Sequence, residues 1–199
     1  MSVSSEKPTW KILSERGILT SPFMSLYEQN CERSDGAQQH KFYVLRSRDW
    51  CNVIPVTSTG NIVLVRQYRH GAAVECFEIP GGVVDPEDSQ IAKAALRELK
   101  EETGYEPLPQ ARIVDLGSTY SNPAILNNRT HSFIVGPVQK ISTQSLDPGE
   151  IIEVLEVPID EVVSMLTDGR MDHALIMNAF FKLQLKGVPL AEALRRFQK

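Results

Sequence analysis

Residues 81–105 read GGVVDPEDSQIAKAALRELKEETGY, and this stretch is the most informative part of the chain. Two glycines precede an acidic segment, after which apolar residues recur at three- and four-residue spacing. That spacing predicts an amphipathic helix over residues 89–103, with Asp88 or Ser89 as the N-cap and Gly104 as the stop. The apolar stripe of this helix consists of Ala92, Ala95, Leu96 and Leu99.

The predicted helix carries a set of carboxylates on one side. At about 100° per residue, Glu98 and Glu102 face the same way and Glu101 lies beside them. Arg97 flanks the set and can pair with Glu101 one turn further on. Hard divalent cations relieve the repulsion between carboxylates, and such a metal can activate water against a phosphoryl group. The alternative is an ordinary solvated helix face, the commoner reason for a run of charged residues.

Composition limits the classes of protein that the chain can represent. Its 199 residues are 42% hydrophobic and suit one compact domain with a small appended piece. The net charge of −4 argues against nucleic acid as a partner. No apolar run approaches the roughly 20 residues that cross a bilayer, and polar residues 1–8 indicate disorder and no secretory signal. Three cysteines without metal-site spacing indicate reduced thiols in a cytoplasmic protein.

The remaining pattern predicts strands interleaved with helices, which indicates a mixed sheet between helices. Short apolar segments from Trp10 to Arg48, with a turn at residues 34–36, predict a small antiparallel sheet of their own. Residues 80–82 are expected to end a strand and open a loop to Asp88, and two prolines predict a loop at residues 106–110. The other predicted strands are residues 52–57, 61–68, 74–79, 113–118, 131–138 and 151–157, and the other predicted helices are 160–166, 172–185 and a short one ending at Phe197.

The segment from Gly82 to Tyr105 resembles the Nudix box. Its second half, RELKEETGY from Arg97, fills every fixed position of that motif. One departure lies in the first half, where Asp88 replaces the usual Glu and eight residues, one more than usual, separate it from Arg97. Either the loop is one residue longer, or Glu87 takes the acidic role.

The resemblance covers nearly the whole chain from Trp10. VLVRQYRHG at residues 63–71 and FEIPGG at 77–82 resemble the Nudix subgroup that hydrolyses ADP-ribose and related nucleoside diphosphate sugars. Residues 122–124, with Pro123 at the centre, and DGRMDHALIMNAF at 168–180 extend that similarity. The resemblance implies an α+β Nudix fold with a mixed sheet sandwiched between helices over residues 51–199. Residues 1–50 resemble the small β-strand subdomain that such enzymes use for dimerisation.

The resemblance also implies a role for each residue of the matched motifs. Gly81 would offer its carbonyl to a metal, while Arg97 would orient the glutamates. A loop near the last strand would add a carboxylate as metal ligand or general base, and Glu150 fits this role better than Glu153. The implied metal ligands are Gly81, Glu98, Glu101, Glu102 and Glu150.

Three further residues are expected to contact or shape the substrate. Arg69 would meet the diphosphate or help to form the dimer pocket, although a surface arginine at a strand end is the equal alternative. Glu78 would contact substrate or metal, or else be an ordinary strand residue. Pro123 would shape a substrate loop. His173, like the other histidines, is interpreted as structural, because no Cys or Ser partner is evident.

The implied function is Mg²⁺-dependent hydrolysis of the diphosphate bond of a nucleoside diphosphate sugar such as ADP-ribose, with Mn²⁺ as the alternative metal. The products would be a nucleoside monophosphate and a sugar phosphate. Two alternatives stay open: a Nudix-fold module that binds a nucleotide sugar with little turnover, and a hydrolase of a dinucleotide or nucleoside triphosphate. The expected partners are the small-molecule substrate and a second copy of the chain in a homodimer.

Overall fold

The computed structural model describes residues 9–88 and 90–199. The expected disorder of residues 1–8, and Ser89 as a candidate N-cap, lie outside the described residues. Within them the chain forms ten strands and four helices. The strands are β1 (Trp10–Thr20), β2 (Met24–Arg33), β3 (Gln39–Ser47), β4 (Trp50–Thr57), β5 (Asn61–Arg69), β6 (Val74–Glu78), β7 (Gly81–Val83), β8 (Tyr105–Tyr120), β9 (Arg129–Lys140) and β10 (Ile152–Pro158). The helices are α1 (Ile91–Thr103), α2 (Ile159–Asp168), α3 (Ala174–Gln184) and α4 (Leu190–Arg195).

Two compact units share these elements. In the first, which comprises residues 9–48 and Tyr120–Asn128, β1, β2 and β3 form an antiparallel sheet in that order. Tyr120–Asn128 joins this unit through the N–H of Leu45, which donates to the carbonyl of Ile125 at 2.8 Å. The predicted small antiparallel sheet is therefore confirmed.

The second unit, Asp49–Thr119 with Arg129–Lys199, contains a mixed seven-stranded sheet. Its strand order is β10-β5-β4-β9-β8, with β6 paired to β5 and β7 paired to β4. The β4–β9 pair is parallel, whereas β10 pairs antiparallel with β5. The predicted mixed sheet is thus confirmed.

Alternation along the central strands sends apolar side chains to both faces of this sheet, because successive side chains of a strand point to opposite sides. Cys51 and Val53 pack with Leu99 of α1 in one hydrophobic cluster. Ile54 pairs instead with Phe180 of α3 in a second cluster, which also includes residues of α2 and α4. The sheet is therefore covered by helices on both faces. No helix in the described parts of the chain is long and apolar enough to span a membrane.

The sequence predictions for residues 106–110 and for the N-cap of α1 are wrong. Residues 106–110 belong to β8, not to a loop, although Pro107 and Pro109 lie among them. β8 is the last strand in the sheet order, and an edge strand tolerates proline because one row of its N–H groups needs no partner. The N-cap of α1 is Gln90, whose side chain makes no capping hydrogen bond, so the expectation for Asp88 does not hold.

Candidate active site

The two glycines before α1 form a strand, not the predicted loop. Gly81 and Gly82 pair with Asn52 and Cys51 of β4 in antiparallel register. A Cβ at Gly82 would lie 2.5 and 2.6 Å from the carboxylate oxygens of Glu98, and one at Gly81 would overlap the backbone of β4. Only glycine therefore lets this strand lie between β4 and the acidic side chains of α1.

Glu102 is the most deeply buried carboxylate of α1, with 4% of its surface exposed. Its Oε2 accepts a hydrogen bond of 2.9 Å from the N–H of Gly81. Burial raises the pKa of Glu102 well above its ordinary value, and the charges of Glu98 and Glu150 raise it further. The Gly81 hydrogen bond opposes this rise but does not cancel it. A proton or a cation therefore stabilises this side chain.

Glu98 lies one turn before Glu102 and is also largely buried. Burial raises the pKa of the Glu98 carboxyl to about 7, against the opposing effect of Arg97. The charges of Glu101 and Glu150 contribute to the rise. Glu98 and Glu102 are thus two carboxylates that repel each other in a poorly hydrated position, an arrangement that is common at functional sites.

Arg97 lies among four carboxylates. Its guanidinium is 2.8 Å from Glu101, 3.0 Å from Glu98, and 3.4 Å from both Asp85 and Asp88. Burial alone would lower the pKa of Arg97, but the surrounding charges raise it above its ordinary value. The predicted pairing with Glu101 is present, and Asp85 is a partner that the sequence did not suggest.

The structure also resolves how the longer box loop is accommodated. Asp88 accepts a hydrogen bond of 2.9 Å from the N–H of Asp85 and reaches Arg97, whereas Glu87 is exposed. The extra residue therefore does not remove an acidic side chain from the arginine. Of the two acidic residues, Asp88 is the one that contacts Arg97.

Glu150 lies in the segment between β9 and β10, at the end of a turn. Its N–H donates to the carbonyl of Asp147 at 3.0 Å, and its Oε2 accepts the N–H of Asp147 at 2.9 Å. Its charge raises the pKa of both Glu98 and Glu102. Glu153, the second choice for this role, forms an ion pair of 2.5 Å with Arg66 instead.

Arg69 and Glu78 form a bidentate ion pair. Both hydrogen bonds, from Nε and Nη2 of Arg69, are 2.6 Å long. Glu78 is 1% exposed, and although burial raises its pKa, the hydrogen bonds from Arg69 and the proximity of His173 lower it below its ordinary value. Burial alone would lower the pKa of Arg69, but its hydrogen bonds to Glu78 and the charge of Glu78 raise it above its ordinary value, and nearby Glu102 adds to the rise. Arg69 is therefore a fixed cation beside the carboxylates.

His173 is a neighbour of this pair that the sequence did not suggest. Its Nδ1 lies 3.5 Å from Glu78 and is buried without a hydrogen-bond partner. The sequence signal for it was weak, a single histidine before the predicted helix of residues 172–185. Pro123 belongs to the first unit and lies in a turn, where the N–H of Leu126 donates to the carbonyl of Asn122 at 2.7 Å.

The donor set suits a hard divalent cation. Within residues 9–88 and 90–199 no three acidic, His or Cys side chains already stand in the arrangement of a metal centre. Glu98 turns to Arg97 and Glu102 to the N–H of Gly81. Two of the carboxylates nevertheless carry a raised pKa, so a cation would remove an existing repulsion, and oxygen ligands are what magnesium and manganese prefer. Glu98, Glu101, Glu102 and Glu150 therefore fit such an ion.

Several known proteins are similar to this chain in sequence or in fold. A family model described as NUDIX domain matches residues 48–180. The chain is 26% identical over 177 residues to the ADP-ribose pyrophosphatase of Bacillus subtilis (strain 168), covering 88% of this chain and 93% of that protein. It is 28% identical over 183 residues to the methanol dehydrogenase activator of Bacillus methanolicus, covering 88% and 96%. A solved structure, "Crystal structure of ADP compounds hydrolase", matches with a TM-score of 0.78 at 23% identity over 94% of this chain and 98% of that chain.

The fold and the acidic site define a hydrolase of the class that works with a divalent metal. Because the family match spans more than half of its residues, the chain belongs to the Nudix family. The predicted fold class, α+β with the Nudix architecture, is confirmed by this match and by the solved structure. A divalent metal is the general cofactor of the family.

Proposed function

We propose that this enzyme hydrolyses the diphosphate bond of a nucleoside diphosphate sugar such as ADP-ribose, with Mg²⁺ as its metal and Mn²⁺ as the alternative. The products are a nucleoside monophosphate and a sugar phosphate. The observation that carries the proposal is the pair of buried carboxylates, Glu98 and Glu102, held against the strand of Gly81 and Gly82. The ADP-ribose pyrophosphatase among its relatives supports the choice of substrate class.

In this proposal the carbonyl of Gly81 and the carboxylates of Glu98, Glu101, Glu102 and Glu150 hold the metal. When bound, the cation neutralises charge on the diphosphate and makes the attacking water more acidic. Arg97 keeps the acidic side chains of α1 in place through its contacts with Glu98 and Glu101. Positioning and charge neutralisation are the main requirements of phosphoryl transfer, so these few groups suffice.

Glu150 is proposed as a metal ligand or, in the alternative role, as the general base. It is exposed, so a water can reach its carboxylate, and its charge already acts on Glu98 and Glu102. Glu153 is a poorer choice because Arg66 occupies its carboxylate. A general base must lie within hydrogen-bond reach of the proton that it accepts, and the charge of Glu150 already acts on two carboxylates of α1.

Arg69 is proposed to bind the diphosphate, and Glu78 to orient it. The Nε and Nη2 groups of Arg69 bond to Glu78, which leaves Nη1 for an anionic ligand. Arginine suits this role because its planar guanidinium binds phosphate oxygens in a fixed geometry. Pro123 is proposed to shape the loop that accompanies the substrate.

The test is incubation with ADP-ribose and MgCl₂, followed by chromatography of the products. We expect AMP and ribose 5-phosphate from the wild type and a loss of at least about a hundredfold in kcat for Glu102→Gln. The matched control is Glu192→Gln on α4, an exposed residue that should keep full activity. Full activity of folded Glu102→Gln would contradict the metal assignment, and a panel of nucleoside diphosphate sugars, dinucleotides and triphosphates identifies the preferred substrate.

The alternative is a module that binds a nucleotide sugar without turnover. Its support was the longer box loop, which nevertheless brings Asp88 to Arg97. Saturable calorimetric binding of ADP-ribose without release of AMP would favour this alternative over the hydrolase.

We also propose a cytoplasmic homodimer formed through the N-terminal β-strand subdomain. Every residue of β1 is exposed, and Ile12, Leu13 and Leu19 are each about half exposed, which leaves apolar surface for a second copy. The free thiols of all three cysteines fit a reducing compartment. Multi-angle light scattering should give twice the chain mass, and a monomer at assay concentration would refute the dimer. Cell fractionation tests the location.

A further inference from the structure

The segment between β9 and β10 carries Glu150 but has no regular structure of its own. Residues 141–151 are mostly exposed, and both Ile141 and Ile151 leave large apolar surfaces in solvent. Glu150 makes its side-chain hydrogen bond within its own turn, to the N–H of Asp147. Something other than burial must therefore keep this segment beside α1.

The C-terminus of α1 provides the attachment points. The last carbonyls of a helix lack partners within the helix. Here the carbonyl of Glu101 accepts the N–H of Ser145 at 2.8 Å, and that of Gly104 accepts the N–H groups of Ile141 and Ser142 at 2.9 and 3.2 Å. The first half of the segment thus caps the same helix whose side chains form the acidic site.

One side chain extends this attachment to the second half of the segment. The Nε2 of Gln144 donates 2.7 Å to the carbonyl of Glu102 and 3.0 Å to the carbonyl of Ile152. Glu102 is a proposed metal ligand, and Ile152 begins β10 two residues after Glu150. An amide NH₂ has two donors in one plane, and both are used here to join two backbone segments.

We propose that Gln144 is a positioning residue that holds the segment with Glu150 against the end of α1. This inference rests on the proposed roles of Glu102 and Glu150. Gln144 acts through backbone carbonyls, so it touches neither substrate nor metal. Without the two hydrogen bonds of Gln144, Ile152 keeps its pairing with Gln67 of β5, but the link between the carbonyl of Glu102 and the backbone two residues after Glu150 is lost. The distance between the carboxylates then varies, and the fraction of molecules in the productive arrangement falls.

The decisive variant is Gln144→Met, which keeps a side chain of similar length and removes both donors. We expect kcat for ADP-ribose hydrolysis to fall about tenfold, with KM changed less than about threefold, because substrate contacts remain. The matched control is Gln110→Met, at an exposed position of β8, which should change neither constant. Combining Gln144→Met with Glu150→Gln should add little to the loss from Glu150→Gln alone, because both act through one group.

Hydrogen exchange measured by mass spectrometry supplies a readout that does not depend on turnover. We expect faster exchange over residues 145–151 in Gln144→Met and unchanged exchange in the core of β4. A folded variant with wild-type kcat, or with unchanged exchange in this segment, would overturn the proposal. Multiplicative losses in the double variant would do the same. If the wild type hydrolyses no nucleotide at all, the proposed function fails, while the exchange result still decides whether Gln144 holds the segment.

Discussion

Glu98→Gln should stabilise the metal-free protein at neutral and higher pH, because this carboxyl group lies in a position that disfavours its charge. The pKa of Glu98 is about 7 in the folded protein, against an ordinary value of 4.5. The folded state therefore binds the proton more tightly than the unfolded state. The stability that this proton contributes is complete below pH 4.5 and is lost as the pH rises through about 7.

The size of the effect follows from the two pKa values. A rise from 4.5 to about 7 corresponds to about 3 kcal/mol between the two limits. Relative to a neutral glutamine, ionisable Glu98 thus costs about 3 kcal/mol at pH 8 and about 1 kcal/mol at pH 5. Its side chain is only 15% exposed, so solvent screening is limited. Arg97 keeps Glu101 at 2.8 Å in the variant and is not left unpaired.

The assay is urea unfolding in EDTA near pH 5 and near pH 8, followed by circular dichroism. Asp35, Asp168 and other groups with a lowered pKa change stability in the opposite direction, so the difference between wild type and variant is the informative quantity. Glu192→Gln serves as the control and should shift stability by less than about 0.5 kcal/mol at both pH values. Equal stabilities of wild type and Glu98→Gln near pH 8, or a less stable variant, would refute the reasoning.

Three further predictions follow from the same geometry. Mg²⁺ at about a hundred times its Kd should stabilise the wild type by about 3 kcal/mol and raise its Tm. The rise in Tm should be clearly smaller for Glu98→Gln, and equal rises in the two proteins would place the metal elsewhere. Arg69→Met should destabilise the protein by about 3 to 5 kcal/mol in urea, because Glu78 stays buried without its partner, and adding Glu78→Gln should recover much of the loss. Gly82→Ala should reduce kcat at least about tenfold in a protein that still folds, because its Cβ displaces the Glu98 carboxylate. The control Gly71→Ala, whose Cβ meets no atom within 4 Å, should keep activity. Comparable kinetics for both variants would contradict the steric argument.

Local patterns were enough to predict the helix with the acidic side chains. The periodic apolar residues and Gly104 are signals within a few residues of one another, and α1 ends at Thr103 as predicted. The contact between Arg97 and Glu101 follows from helix geometry alone. The sequence therefore predicted those parts of the candidate site that one helix determines by itself.

Contacts between distant segments were not predictable in this way. Gln144 donates to the carbonyl of Glu102, which lies 42 residues earlier in the sequence. His173, at the start of α3, lies close to Glu78 at the end of β6. Nor does the sequence say that Gly81 and Gly82 pair with β4, because strand pairing depends on where the chain returns. These features arise from the tertiary fold and leave no signal within a short stretch of sequence.

Pro107 and Pro109 in β8 have a consequence for how the molecule behaves at high concentration. Residues two apart in a strand point their N–H groups to the same side, so these prolines remove two donors from one side of the edge strand β8. An exposed edge strand can pair with a strand of another molecule, and the loss of N–H donors makes that pairing less favourable. Replacing both prolines with valine should leave the fold intact yet make the protein prone to irreversible aggregation on heating.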